Sequence, residues 1–535
     1  MAQYFPIQLQ PGVYKQGTDY QARGRWLDAD CIRWSMGATT PIGGWLLWGG
    51  TTDPDANRLP EADGIPRTTI TWADNTQNRW LAVGTYKALY VYDESAQSYD
   101  ITPTALVPGQ EDADPNTGYG DWKYGFSSYD TPRPDLGAGM AATTWSLATF
   151  GEKLTGTTNY NPGTPTTPGD GRLWQWTTAS PGTPGSPTLA TLIAAKGGTT
   201  NIPSLATSTL VTPQRIQMVF GGTVLASGGT QNRRAVFWSD IEDNTNWEPT
   251  ATNFSGEQLL ETTGDLIGGV VVKDQILIFT TTDVWLATYV GLPYVYGFNQ
   301  LAVDCGPISL NSVVVANNRA YWMGGEKSGF FMFDGLVKNV PCDVEDFLHT
   351  NITEAQGSKV VAWHNNANTE IFWFYPKNDT EVSAYVSYNY EEGHWALGSL
   401  ARSGANPAGI FTRPICFDTS GYPYEHEIGG VYEDEGDTAI VPFAQSGPIE
   451  LGDGDRLVSA TKYIPDITST GDGTLTFSYQ MYPTSTASTT SSITLSEPTS
   501  IRFQGRQFTM KVTSASAASW NLGVPRIQMQ ATSRR

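Results

Sequence analysis

The sequence predicts an all-β fold, a six- to seven-bladed β-propeller with a small C-terminal β domain. Three observations lead there. Helical periodicity is nearly absent, and short apolar runs alternate with turns drawn from 56 Gly, 33 Pro and many Asn, Asp, Ser and Thr. The apolar runs recur in groups at roughly 40–50 residues, the period of propeller blades. After about Pro448 the pattern shifts to longer alternating strands such as "GDGTLTFSYQMYP" and "RFQGRQFTMKV". A lone blade cannot bury its own faces, whereas radially stacked blades cover one another. A tandem series of β-sandwiches is the competing arrangement.

The groups follow one plan: an apolar strand, a tight polar turn, a second apolar strand, then an aromatic-rich third. The first spans residues 68–93. The second runs from "TTWSLATFGEKLTGTT" to "GRLWQWTTAS". The third couples "QRIQMVFGGTVLASGG" to "AVFWSDIEDNTNWEP". The fourth is "GGVVVKDQILIFTTTDVWLATYV" and the fifth "NSVVVANNRAYWMGGEKSGFFMFDG". The sixth joins "SKVVAWHNNANTEIFWFYPKN" to "SAYVSYNYEEGHWALG". A weaker seventh is "GIFTRPICFDTSGYPYEHEIGGVYED". One helix is expected, in "DVEDFLHTNI", with Asp343 as its cap. Residues 104–140 and 155–188 are too polar and Pro/Gly-rich for a core and are expected to be long surface loops. The division is thus 1–60 as an N-terminal arm and first strands packing on the propeller, 61–447 as the propeller, and 448–535 as the C-terminal domain.

In the third group, Trp238, Ser239 and Asp240 end a strand, and the polar stretch after them is a turn beneath which Trp247 packs. The stretch partly resembles the Asp-box of sialidase-like propellers, without that motif's glycine; the reading is a structural turn, not a site.

The formal net charge of −21 argues against a phosphate-binding face. From residue 446 onward there are 8 basic and 6 acidic residues, a net of +2, so the first 445 residues carry −23. Cys31, Cys305, Cys342 and Cys416 are far apart and read as buried thiols. No signal segment, membrane anchor, phosphate loop, nucleophile elbow or His-based metal spacing is visible. No cofactor, metal or catalytic residue is expected. The densest charge cluster, residues 424–437, holds Glu425, Glu427, Glu433, Asp434, Glu435 and Asp437 without a Lys or Arg. A solvated or partner-facing patch is the reading for it.

The N-terminus, "QYFPIQLQPGVYKQGTDYQARGRWLDADCIRWSMGATTPIGGW", carries Pro11, Gly12 and Val13, then Gly24, Arg25 and Trp26, then Arg33, Trp34, Gly37, Pro41, Gly43, Gly44 and Trp45. With "TWSLATFGEKL", "GRLWQW", "VFWSDIEDNTNW", "FFMFDG" and "FQGRQFTMKV", it resembles the tail nozzle, or packaged-DNA stabilisation, proteins of short-tailed bacteriophages. The resemblance spans nearly the whole chain; the insertions at 104–140 and 155–188 depart from it. It implies a non-enzymatic virion protein, assembled in the host cytoplasm into a homo-oligomeric ring, usually a hexamer. Such a ring sits below the adaptor and portal, meets a tail fibre or needle, and closes and later conducts the DNA channel. The acidic cluster at 424–437 would then line that channel and repel passing phosphate. The other readings are a propeller glycoside hydrolase and a carbohydrate-binding protein, both acting on host-surface glycans.

Overall fold

The computed structural model describes residues 3–50, 55, 57–114, 140–159, 169–183, 185–194, 202–223, 230–429, 441–450, 456–469, 473–514 and 519–533. Seven four-stranded antiparallel sheets form a β-propeller. In blades 1 to 6 the strands follow chain order from the axis outward. Blade 1 is Thr68–Ala73, Arg79–Gly84, Leu89–Tyr92 and Ser98–Asp100. Blades 2 to 6 start at Trp145–Phe150, Ser208–Val211, Leu266–Val272, Val313–Ala316 and Val361–Asn365. Blade 7 takes three strands, Gly404–Asn406, Ile415–Phe417 and Pro423–His426, from late in the chain and its outer strand, Trp45–Leu47, from the start. The register Trp45↔His426 and Leu47↔Tyr424 closes the ring by pairing chain segments almost 400 residues apart.

Second strands such as Gln217–Phe220 and Glu370–Tyr375 are buried at every position. Each is sandwiched between neighbouring blades, which is why the sequence shows continuous apolar runs there rather than alternation. Several hairpins share one turn chemistry. Asp74 accepts the N–H groups of Thr76 and Asn78 at 2.9 and 3.0 Å and the indole N–H of Trp80 at 3.1 Å. Asp93 does the same for Ser95, Gln97 and the Tyr99 hydroxyl, and Asp418 for Ser420 and Tyr422. The fourth residue of each turn, Gln77, Ala96 or Gly421, is left-handed, and the carboxylate supplies the bonds that hold it there.

The division of the chain differs from the expected one. Much of the N-terminal arm is woven into the C-terminal domain. Gln3–Pro6 pairs with Arg526–Ser533, Arg25–Asp30 with Phe443–Ser446, and Ala38–Pro41 with Trp520–Leu522. That domain therefore begins with the first strand, already includes Phe443–Ser446, and has its own core of Tyr463, Leu475, Phe477, Phe503, Phe508 and Val512. The core runs on without a break into blades 5 and 6 through Phe330, Trp373 and Trp395. Residues 155–158 and 174–177, which fall both in the second strand group and in the expected 155–188 loop, are blade-2 strands, so that loop is shorter than expected. The expected helix is Glu345–Asn351, and Asp343 does not cap it. Its carboxylate instead meets the Arg25 guanidinium at 2.9 Å, an ion pair that draws it away from the helix end.

Ala235–Trp238 is the third strand of blade 3. Ser239 Oγ accepts the Gln217 N–H at 3.0 Å, and Asp240 accepts the N–H groups of Ile241 and Phe254. Glu242, at φ 56°, takes the left-handed position for which a glycine would serve. Trp247 is 1% exposed, stacks on Phe237 at 5.6 Å and donates its indole N–H to the Asn244 carbonyl at 2.7 Å. Trp247→Ala is expected to cost about 3–5 kcal/mol, as large aromatic truncations do. Urea denaturation checks this, and a loss below about 1 kcal/mol would contradict it.

Candidate functional site

The propeller axis is the first place to look for chemistry. Around it the inner strands are tied blade to blade by hydroxyls donating to carbonyls: Thr68 to Trp145 at 2.7 Å, Ser146 to Thr209 at 2.9 Å, Ser208 to Ile267 at 2.8 Å and Ser309 to Val360 at 2.8 Å. Asn311 of blade 5 reaches across to blade 1, donating to Thr68 Oγ1 at 2.9 Å. The axis is therefore occupied by side chains and leaves two modest cavities of about 260 and 360 Å³. Both are walled mainly by aliphatic and hydroxyl side chains, joined by Trp145, Asn159 and Arg233 in the first and by Arg67 and Asn311 in the second. Asp265 is the one carboxylate among their described lining residues, and it is held by Arg233 at 2.8 Å.

The connection from blade 1 to blade 2 lies over this mouth. Ala113 exchanges both backbone hydrogen bonds with the Gln356 amide at 2.9 Å each, and the Ala142 N–H reaches Ser358 Oγ at 3.1 Å. The fully buried Lys359 ammonium meets Asp112, the Thr380 carbonyl and Glu381. Glu381 also receives Arg67 at 2.7 Å. Burial pushes the Glu381 carboxyl up, but Arg67 and Lys359 outweigh it and hold it below the usual range. The ends of the 104–140 insertion are thus strapped to the blade 5–6 connector rather than lying on the periphery. Residues 115–139, with Trp122 and Tyr124, and 160–168 lie outside the described residues.

The acidic stretch divides. Glu433, Asp434, Glu435 and Asp437 lie outside the described residues, and Glu425 is half-buried on a blade-7 strand. Glu427 is not an unpaired wall charge. It accepts Arg33 at 2.7 and 3.1 Å and Asn365 at 2.6 Å. Arg33 simultaneously grips Glu370 at 2.7–2.8 Å. Burial disfavours charge on all three, yet the two carboxylates keep Arg33 protonated. Arg33 and Asn365 draw Glu427 down, whereas in the fully enclosed Glu370 desolvation outweighs Arg33 and pushes the carboxyl up. The sequence reading missed this because the partner lies 394 residues away.

Some of the other N-terminal motif residues pack near the same clamp. A Cβ on Gly43 would meet the Glu427 backbone at 2.6 Å, and one on Gly12, at φ 89°, would strike His394 at 2.8 Å. Trp34 lies edge-on to His394 and 6.1 Å from Trp26. Trp45 stacks on His426 at 5.4 Å, and the Arg402 guanidinium lies over both Trp45 and Tyr424. The four cysteines are buried and none is in a disulfide. Among the described residues there is no group of His, Cys, Asp and Glu able to hold a metal, and no helix long and apolar enough to cross a membrane.

No protein-family model matches the chain, and no curated protein matches it by sequence. Solved structures similar in fold include virginiamycin B lyase from Staphylococcus aureus, at 7% identity and a TM-score of 0.39 over 69% of this chain and 97% of that one. The extracellular domain of the putative one component system BT4673 from B. thetaiotaomicron follows at 10% identity and 0.33, over 74% of this chain and 40% of that one. Exo-beta-1,3-galactanase from Phanerochaete chrysosporium gives 8% and 0.25, over 73% and 97%.

His426 gives the site a pH signature. Burial, and then the Arg402 cation whose Nε donates to its Nε2 at 2.9 Å, holds its pKa well below the usual imidazole range. Below that value the unfolded chain binds a proton that the folded chain refuses, so stability falls as pH drops. His426→Asn should remove its share of this slope, at most about 1.4 kcal/mol per pH unit, between about pH 7 and 5. Urea midpoints across that range check this, and a variant as pH-sensitive as the wild type would contradict it.

Proposed function

We propose that the chain is a structural virion protein of a bacteriophage tail, a subunit of the nozzle ring that closes and later conducts the DNA channel below the portal and adaptor. One observation carries this reading. Several N-terminal residues of the family resemblance are spent on fastening the chain internally: Arg33 on Glu370 and Glu427, Gly12 and Gly43 on close approaches, Trp34 on packing against blade 6, and Trp45 on packing within blade 7. A signature used up in interior fastening suits a building block better than a catalyst. The net charge of −21 supports it further, since a duct should repel duplex DNA rather than hold it.

In this reading DNA travels through the middle of the ring of subunits, because the axis of each propeller is bridged by Asn311 on Thr68 and leaves cavities of only about 260 and 360 Å³. A hydrolase of host-surface glycans would need two facing carboxylates about 5–10 Å apart. The described axial lining supports that alternative poorly, since its one carboxylate, Asp265, is paired with Arg233. Adaptor, fibre or needle, and transiently the genome, are the implied partners, and the virion tail the implied location.

Single-particle imaging of the purified protein, alone and with head-to-tail connector proteins, tests the reading. A closed ring, six-fold in the expected case, with an open centre is the outcome expected. Duplex DNA should bind it no more tightly than about 10⁻⁴–10⁻⁶ M at physiological salt, the ordinary non-specific range. Nanomolar duplex binding, or cleavage of a host glycan by a protein that never forms rings, would overturn it.

A further inference from the structure

Blade 4 differs from the other blades at its outer edge. Its third and fourth strands, Val284–Gly291 and Val295–Ala302, have eight residues each, whereas its second strand, Gln275–Thr280, has six. Gln275 pairs with Thr288, so the hairpin beyond Thr288 overhangs the blade. At its tip Val290, Leu292 and Tyr294 are 57, 47 and 79% exposed. The base is firm. Tyr296 packs between Tyr289 and Trp238, at 5.7 and 5.5 Å. Val295, a β-branched residue, is held at φ 63°, a costly conformation that local preference would not maintain. Residues 284–303 contain no charge at all. Long uncharged edge strands with apolar tips are normally blunted with Lys, Pro or bulges; here Pro293 and a register shift at each end of the strand pair serve as guards, and the apolar tip stays exposed all the same.

A concavity with a single charged lining residue lies elsewhere on the molecule. Between the N-terminal arm and the C-terminal domain runs a groove of about 640 Å³, in which Leu9, Met36 and Val524 stand beside the exposed, uncharged Gln8 and Gln10. Met36 is 96% exposed at its rim. Asp466 is the single charge among the lining residues, and one of its oxygens accepts the Val524 N–H at 2.7 Å.

We propose that the blade-4 hairpin tip of one molecule seats in this groove of a second copy. Charge selects the occupant. Two molecules of −21 repel wherever their acidic surfaces face, so copies can meet closely only where both are uncharged, as the tip is and the groove nearly is. A cationic partner would gain nothing from either surface. The groove belongs to the arm and C-terminal domain, which pack against blades 5 and 6, whereas the hairpin tip stands on the outer edge of blade 4. A molecule therefore presents knob and groove on separate faces. Such a contact is heterologous, propagates from copy to copy, and closes when the rotation allows. The inference rests on the ring reading above and names the surfaces that build it.

Sedimentation equilibrium on the full chain tests it, with thermal unfolding as the check on folding. Leu292→Asp with Tyr294→Asp removes the knob; Met36→Asp with Val524→Asp spoils the groove. All four positions are at least partly exposed, so both variants should melt like the wild type. Each should weaken self-association by about tenfold or more. Mixed in equal amounts they should form a dimer and stop, because one intact knob and one intact groove remain. Wild-type association should strengthen with salt as repulsion is screened. Folded variants that assemble like the wild type would overturn this contact while leaving the ring reading standing. A wild type that stays monomeric under all conditions would overturn both.

Discussion

The structure depends most on one buried guanidinium. Arg33 joins the N-terminal arm to blade 6 through Glu370 and to blade 7 through Glu427. Three charges in an enclosed site are costly unless geometry and hydrogen bonds compensate, and here every one of them is held by at least one close ionic partner. The placement explains the surrounding glycines. Gly43 can have no side chain, because the Glu427 backbone lies where a Cβ would go. From this clamp the chain runs directly into Trp45–Leu47, which closes blade 7. Ring closure, domain docking and the arm's path thus converge within a few residues.

Around the axis a second device keeps the blades in register. The belt of hydroxyl-to-carbonyl bonds from Thr68, Ser146, Ser208 and Ser309 replaces the large side chains that could otherwise fill a propeller's centre. Small hydroxyl residues let the inner strands approach closely while satisfying carbonyls that would otherwise be buried without partners. The same closeness leaves little room for a catalytic arrangement, and the blade 1–2 connection, fastened by Lys359 and Gln356, covers the mouth further.

Much of the propeller was legible in the sequence because its signals are local. Second strands buried on both faces read as continuous apolar runs, and Trp247 read as a buried turn residue because it follows a polar loop. The last blade was faint because its fourth strand sits at the opposite end of the chain. The arm's entry into the C-terminal domain was invisible, since nothing in Gln3–Pro6 marks Arg526–Ser533 as its partner. Glu427 was misread for the same reason. Within its own segment it is one acid among many, and Arg33 stands far away in the chain. Lys359 and Arg67 left only a weak trace, a lone cation at the entrance to an otherwise uncharged inner strand.

The arm is a fastening whose strength lies in a desolvated ion pair and not in a surface contact. Equilibrium unfolding of Arg33→Met in urea, followed by tryptophan fluorescence, measures this directly. Removing the cation strands two carboxylates in an apolar site, and the expected loss is about 3–5 kcal/mol. A loss below about 1 kcal/mol, the range of exposed ion pairs, would contradict it.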